Sequence, residues 1–257
     1  MLGILALILF GLILMVGGDR GAVAVMALVG NILLLLSAIY LLAIGVPPLL
    51  ITILGCVVVS CITLIQQNGK NVKTGAAFLA SGITMTGLFL LIYFMIWHAE
   101  AGGLNEIQTL QEDVQYYYNV NIHINMLQIT ACMTLFSTQG AVLDTVLSVS
   151  SAVYEVYIHK NTMKKEEIFH TGIHIGKEIT GTTINTLLFA YLGESLFLYI
   201  YLQNGQFSLE TILNSKLLYQ DAAMMLFGGI ACLVSVPITA ICVANILEWK
   251  RRRDSNA

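Results

Sequence analysis

From Leu2 to Leu247 the chain is a succession of apolar runs separated by short polar breaks. The runs are Leu2–Gly17, Gly21–Gly45, Pro47–Gln66, Gly75–Trp97, Met126–Val149, Thr182–Leu202 and Ala222–Leu247. About 20 helical residues cross the hydrocarbon core of a bilayer, and all but the first run reach that length. Inside lipid the backbone must satisfy its own hydrogen bonds, which selects helices for runs of this kind. With 57% hydrophobic and 11% charged residues among 257, the chain lacks the polar surface of a soluble domain of that size. The expected fold is all-α, a polytopic transmembrane bundle of about seven helices forming one domain over residues 1–257.

The breaks define the organisation. Gly45-Val46-Pro47-Pro48 reads as a tight turn, because proline cannot continue a helix. Gln67–Lys73 is a short polar turn, and Asn204–Gln220 a short polar connector. Ala99–Asn125 is longer, with Leu104, Ile107 and Leu110 at helical spacing. Residues 1–17 read as an extra, retained N-terminal helix rather than a signal peptide, since they lack a basic start; whether they span is left open. Residues 21–247 form a six-helix unit, 159–178 a cytoplasmic amphipathic connector, and 248–257 a basic tail. In the connector Met163, Ile168 and Ile175 oppose Lys164, Lys165, Glu166 and Glu167, a pattern that suits a helix lying on the inner membrane surface.

Charge gives the orientation. Arg20, Lys70, Lys73, Lys160, Lys164, Lys165, Lys177 and the tail cations Lys250–Arg253 fall on one side of a seven-span layout, and Lys216 alone falls on the other. Ala99–Asn125 carries Glu100, Glu106, Glu112 and Asp113 and no lysine or arginine. The positive-inside rule then places the N-terminus outside and the C-terminus in the cytoplasm of a cell-membrane protein.

One residue breaks the apolar pattern in a way that asks for a use. Asp144 sits in GAVLDTVLSVSS, and a carboxylate at the centre of a spanning helix costs ~2.5–3.5 kcal/mol on insertion scales. Steps of three and four residues from it reach Ser137, Gly140, Ser148, Ser151 and Glu155, with Thr134 and Thr130 further out. Gly140, Ser148 and Ser151 are small enough to let another helix approach, so the face is expected to point into a bundle. The answering segment is Lys177–Thr186, where Glu178, Thr182, Asn185 and Thr186 share much of one face. Hydroxyls and an amide can hold a carboxylate in either protonation state, so Asp144, Thr182, Asn185 and Thr186 form a candidate proton relay. The plainer alternative is a polar packing seam in which Asp144 is inert.

Glu194, in YLGESLF, is a secondary candidate, open to a relay role or to a locally unwound, wet position. Lys177 reads as an interfacial lysine that snorkels. His159, His170 and His174 read as solvated connector residues, and Cys56, Cys61, Cys132, Cys232 and Cys242 as small buried residues. No metal, cofactor or nucleic-acid partner is expected. No nucleotide-binding loop, intramembrane protease signature or nucleophile–base pair is present in the sequence, so an enzyme is not expected.

GAVLDT, the amphipathic connector, IGKEITGTTINTLLFAYLG and the early GDRG resemble the YibE/F family of bacterial multi-pass membrane proteins, in particular its shorter, YibF-like members. A more distant resemblance is to the transmembrane half of SecD/SecF and the RND transporters. It is carried by Asp144-Thr145-Val146, Thr182–Leu187 and GGIACLVSVPITAICVANILEWKRR in that order. That resemblance implies that residues 21–247 are an RND-like half-unit and that Asp144 belongs to a proton path. Two departures accompany it. Asp144 is flanked by Leu143 and Thr145 rather than by a second acid, and Gly45–Pro48 turns back where a large extracytoplasmic domain would stand. A half-unit implies a complement, either a YibE-like membrane partner or a second copy. The expected function is a subunit of a proton-coupled transport or export complex; the alternative is a non-transporting membrane scaffold or assembly factor. In a cysteine-free background, single cysteines at Glu106 and Lys165 are expected to react with an impermeant maleimide from opposite sides of the membrane, and labelling of both from outside would overturn the layout.

Overall fold

The computed structural model describes residues 1–100, 102, 125–160, 163–204, 208, 210 and 214–255. Among them are six α-helices and no strand: α1 (Leu2–Ala43), α2 (Pro48–Ser60), α3 (Val72–His98), α4 (Met126–His159), α5 (Lys165–Asn204) and α6 (Lys216–Ser255). A π-helical turn, Cys61–Gln66, continues α2. Five of the six have a stretch long and apolar enough to cross a membrane; α5, whose first half is rich in charge and hydroxyl, is not among them. The Leu104–Leu110 segment of the Ala99–Asn125 connector lies outside the described residues.

The count of six helices corrects the expected seven. The runs 2–17 and 21–45 are two arms of α1, broken only at Gly18, whose φ of 53° and ψ of −130° are non-helical. A positive φ at that position favours glycine. The bend is so sharp that Gly21 lies against the backbone of Ile13 and Leu14. A single residue thus makes the turn for which a polar loop was expected. Among the described residues α1 packs mainly on α2 and its π-helical extension, through contacts such as Asn31 Nδ2 donating to Thr63 Oγ1 at 3.3 Å.

The connector is the second correction. Residues 165–178 are not a separate surface helix but the first half of α5. Met163 and Ile168 are buried with Val149, Val153, Val236, Val243 and Leu247. Amphipathicity reports that one face is covered; here the cover is protein, not lipid. Gly172 and Gly176 make this possible, because a Cβ at 172 would come within 2.8 Å of the Ala240 Cβ, and one at 176 would overlap Val236. Close backbone approach by such G-x-x-x-G spacing is a general means of helix association in lipid, where apolar burial alone supplies little force.

α4 is the central helix. Leu135, Val142, Leu143 and Val146 pack with Ala77, Ala80, Leu88, Ile92 and Ile96 of α3 and with Ala223, Phe227 and Ala231 of α6. Buried threonines donate to carbonyls one turn back, as at Thr84–Ala80 (2.8 Å), Thr145–Ala141 (2.9 Å) and Thr239–Ser235 (2.6 Å), which satisfies the hydroxyls without a partner helix. Asn71 and Thr74 form a capping box on α3, and Asn125 caps α4 by accepting from Leu127 and Gln128.

Polar contacts mark the two ends of the bundle. At one end Lys216 Nζ donates to the Gly102 carbonyl at 3.2 Å, and Tyr219 reaches the Met95 carbonyl. At the other, Arg251 donates to the Met163 carbonyl at 3.2 Å, and Glu248 pairs with Lys165 and Arg252. Gly176→Ala should destabilise the α5–α6 contact by about 1–3 kcal/mol through overpacking, read as a lower Tm in detergent. Gly75→Ala, whose added Cβ meets nothing within 4 Å, should leave Tm unchanged or raise it; equal behaviour of the two variants would contradict the close approach.

Candidate functional site

α4 and α5 lie side by side, joined by a hydrogen bond between the Ser137 and Tyr191 hydroxyls. Beside that contact they border an open cavity of about 300 Å³ lined by Gly140, Ala141, Asp144, Thr182, Thr183, Thr186 and Leu187. Asp144, Thr182 and Thr186 are therefore brought together, across two helices and about forty residues of sequence.

Asn185 is not in the lining. Helical geometry explains why. At 100° per residue, Thr182, Thr186, Thr183 and Leu187 span an arc of ~140°, and Asn185 falls ~60° outside it. Thr183 is the residue that sequence reading missed; it stands within the arc. Glu194 lies in α5, but its side chain is outside the described residues.

The cavity opens sideways. Asp144, Gly140, Thr182 and Thr186 are all exposed, while Ser148 and Ser151 on the same face of α4 are half-buried. A Cβ on Gly140 would meet nothing within 4 Å, so among the described residues no helix packs tightly against it. The expectation that this face points into the bundle fails for a single chain, because the core-facing arc of α4 is taken by Val142, Val146 and Val149, each 0% exposed. Thr130 and Thr134, expected on the polar stripe, are buried and donate to their own helix.

The hydroxyls around Asp144 have a fixed sense. Thr182 and Thr183 donate to the Ile179 carbonyl at 2.8 and 3.0 Å, and Thr186 donates to the Thr182 carbonyl at 3.0 Å. Their protons are used on the backbone, so their oxygens offer lone pairs to the cavity. A protonated Asp144 can donate to such oxygens; an ionised one cannot, unless a threonine turns over. Among the described residues the Asp144 carboxylate has no hydrogen bond and no ion pair, and no three His, Cys, Asp or Glu side chains gather in a metal-binding group.

Gln139, which the sequence analysis also passed over, lies on the opposite side of α4. It is 2% exposed. Its Nε2 donates to Ser60 Oγ at 2.7 Å and approaches the Cys56 carbonyl at 3.4 Å. A glutamine inside an apolar run was a signal available in the sequence, but stepping by three and four from Asp144 traces one face only.

No curated protein and no solved structure matches the chain. The family model described as YibE/F-like protein matches residues 5–249, which reaches into every helix described above. On that near-complete match, the chain belongs to the YibE/F family.

Proposed function

We propose that this protein is a multi-pass membrane subunit of a proton-coupled transport or export complex, working beside a second membrane protein. The observation that carries the reading is the exposed Asp144 carboxylate, midway along a helix that is apolar and long enough to span, at the mouth of a threonine-lined cavity. Against lipid tails such a group is costly. A second protein covering the α4–α5 face removes that cost and leaves Asp144 in a polar compartment at the junction.

A YibE-like protein is the favoured partner, and a second copy of this chain the alternative. The order of parts, with Asp144 on α4, the threonines on α5 and the small-residue helix α6, also supports the RND-like comparison. In this reading Asp144 takes up and releases a proton, and Thr182 and Thr186 receive its hydrogen bond when it is neutral. The N-terminus lies outside and the basic tail faces the cytoplasm.

A proton-flux assay on the complex in vesicles with an internal pH-sensitive dye tests the proposal. Asp144→Asn keeps size and hydrogen bonding but removes the titratable proton, and should lower flux at least about tenfold with normal insertion and assembly. Thr182→Val or Thr186→Val should give partial losses, and Asn185→Ala, outside the cavity, should stay near wild type. Full flux in Asp144→Asn would end the relay and favour the scaffold reading, in which Asp144 only joins helices.

A further inference from the structure

A second cavity, of about 320 Å³, lies between α2, α3 and α4, on the far side of α4 from Asp144. Its walls are mostly apolar, including Ile53, Val57, Phe78, Met85, Phe89 and Leu135. It opens between α2 and α3, where Ile53 and Val57 are each 50% exposed and Gly82 and Thr86 are also exposed. These helices are apolar enough and long enough to cross a membrane, so the mouth faces the lipid phase.

At the inner wall stands the Gln139 amide. Its Oε1 is buried and has no hydrogen-bond partner among the described residues. The amide cannot simply be reversed. Ser60 Oγ donates its proton to the Cys56 carbonyl at 2.8 Å, so it can only accept from Gln139. The Cys56 carbonyl likewise accepts. Both contacts on that side require the NH₂ end of the amide, which leaves the carbonyl as the free end. A buried carbonyl without a partner is costly, and the group that relieves it must be a hydrogen-bond donor.

The geometry points to a binding site for a lipid-phase amphiphile: a slender apolar molecule bearing one hydroxyl, which enters between α2 and α3 and donates to Gln139 Oε1. The volume is at the small end of the range for ligand pockets. The hydroxyls in the lining, Thr52, Ser60, Ser81 and Thr86, already donate to carbonyls of their own helices, and walls otherwise mostly apolar suit an alkyl chain with one donor better than a charged or multiply polar solute, which would leave its other polar groups unpaired. The site shares no lining residue with the Asp144 cavity, and its existence does not depend on the proposed relay.

The test uses the whole purified protein in phosphatidylcholine–phosphatidylglycerol vesicles, photolabelled with a diazirine-bearing dodecanol and mapped by mass spectrometry. Labels are expected on the cavity wall, at Val57, Phe78 and Met85. At equal membrane concentration, dodecanol should compete about fivefold better than its methyl ether, the worth of one hydrogen bond to a buried acceptor. Gln139→Leu should abolish that preference. Gly82→Leu, at an exposed position where an added Cβ meets nothing within 4 Å, should fill the mouth and remove the labelling without disturbing the fold. Equal competition by alcohol and ether in the wild type, labelling elsewhere, or labelling undiminished by Gly82→Leu would each overturn the proposal.

Discussion

A helix has one perimeter, and most of what is distinctive in this protein follows from how α4 divides its own. The arc carrying Val142, Val146 and Val149 is fully buried against α3 and α6. Small side chains on the neighbours, Ala77 and Ala80 on α3 and Ala231 on α6, let the three helices close on one another. In lipid that close packing, rather than escape from water, holds helices together. Once the apolar arc is committed inward, Asp144 is committed to the side.

The two cavities are the consequences of that division. Facing α5, the carboxylate looks across at three threonines whose protons are already used on backbone carbonyls. Facing α2 and α3, Gln139 spends its NH₂ on Ser60 and Cys56 and presents a bare carbonyl. One helix therefore carries, on opposite sides, an acid facing acceptors and an acceptor without a donor among the described residues. α5, held on α6 through Gly172 and Gly176, supplies the facing wall of the first cavity. The second is walled by α2 from Thr52 to Ser60 and by α3 from Phe78 to Phe89.

Most of the spans were legible in the sequence because bilayer thickness fixes the length of an apolar run, but the run Thr182–Leu202, in α5, is not among the five helices long and apolar enough to cross; the YibE/F resemblance rested on motifs that the family match covers. The turn at Gly18 was not, because GGDRG reads equally as a loop or as one glycine with positive φ. The connector was read as surface-bound because a hydrophobic stripe does not state what covers it; the spacing of Gly172 and Gly176 was the missed signal that the cover is another helix. At the site, the pairing of Asp144 with Thr182 and Thr186 was visible from periodicity. Asn185 was not separated from them, because a polar residue three positions on was counted as sharing the face without summing its angle. Whether Asp144 pointed in or out could not be read at all, since small-polar faces pack against helices of the same chain or of another by the same rule.

The central claim is that the α4–α5 face bearing Asp144 is covered by protein in the membrane. A photoreactive benzoylphenylalanine placed at Gly140, which is exposed on that face, measures this in intact cells. The account expects a discrete protein–protein adduct from Gly140, while the same probe at Leu90 of α3, 66% exposed on the bundle exterior, gives lipid adducts. Lipid adducts alone from Gly140 would contradict it.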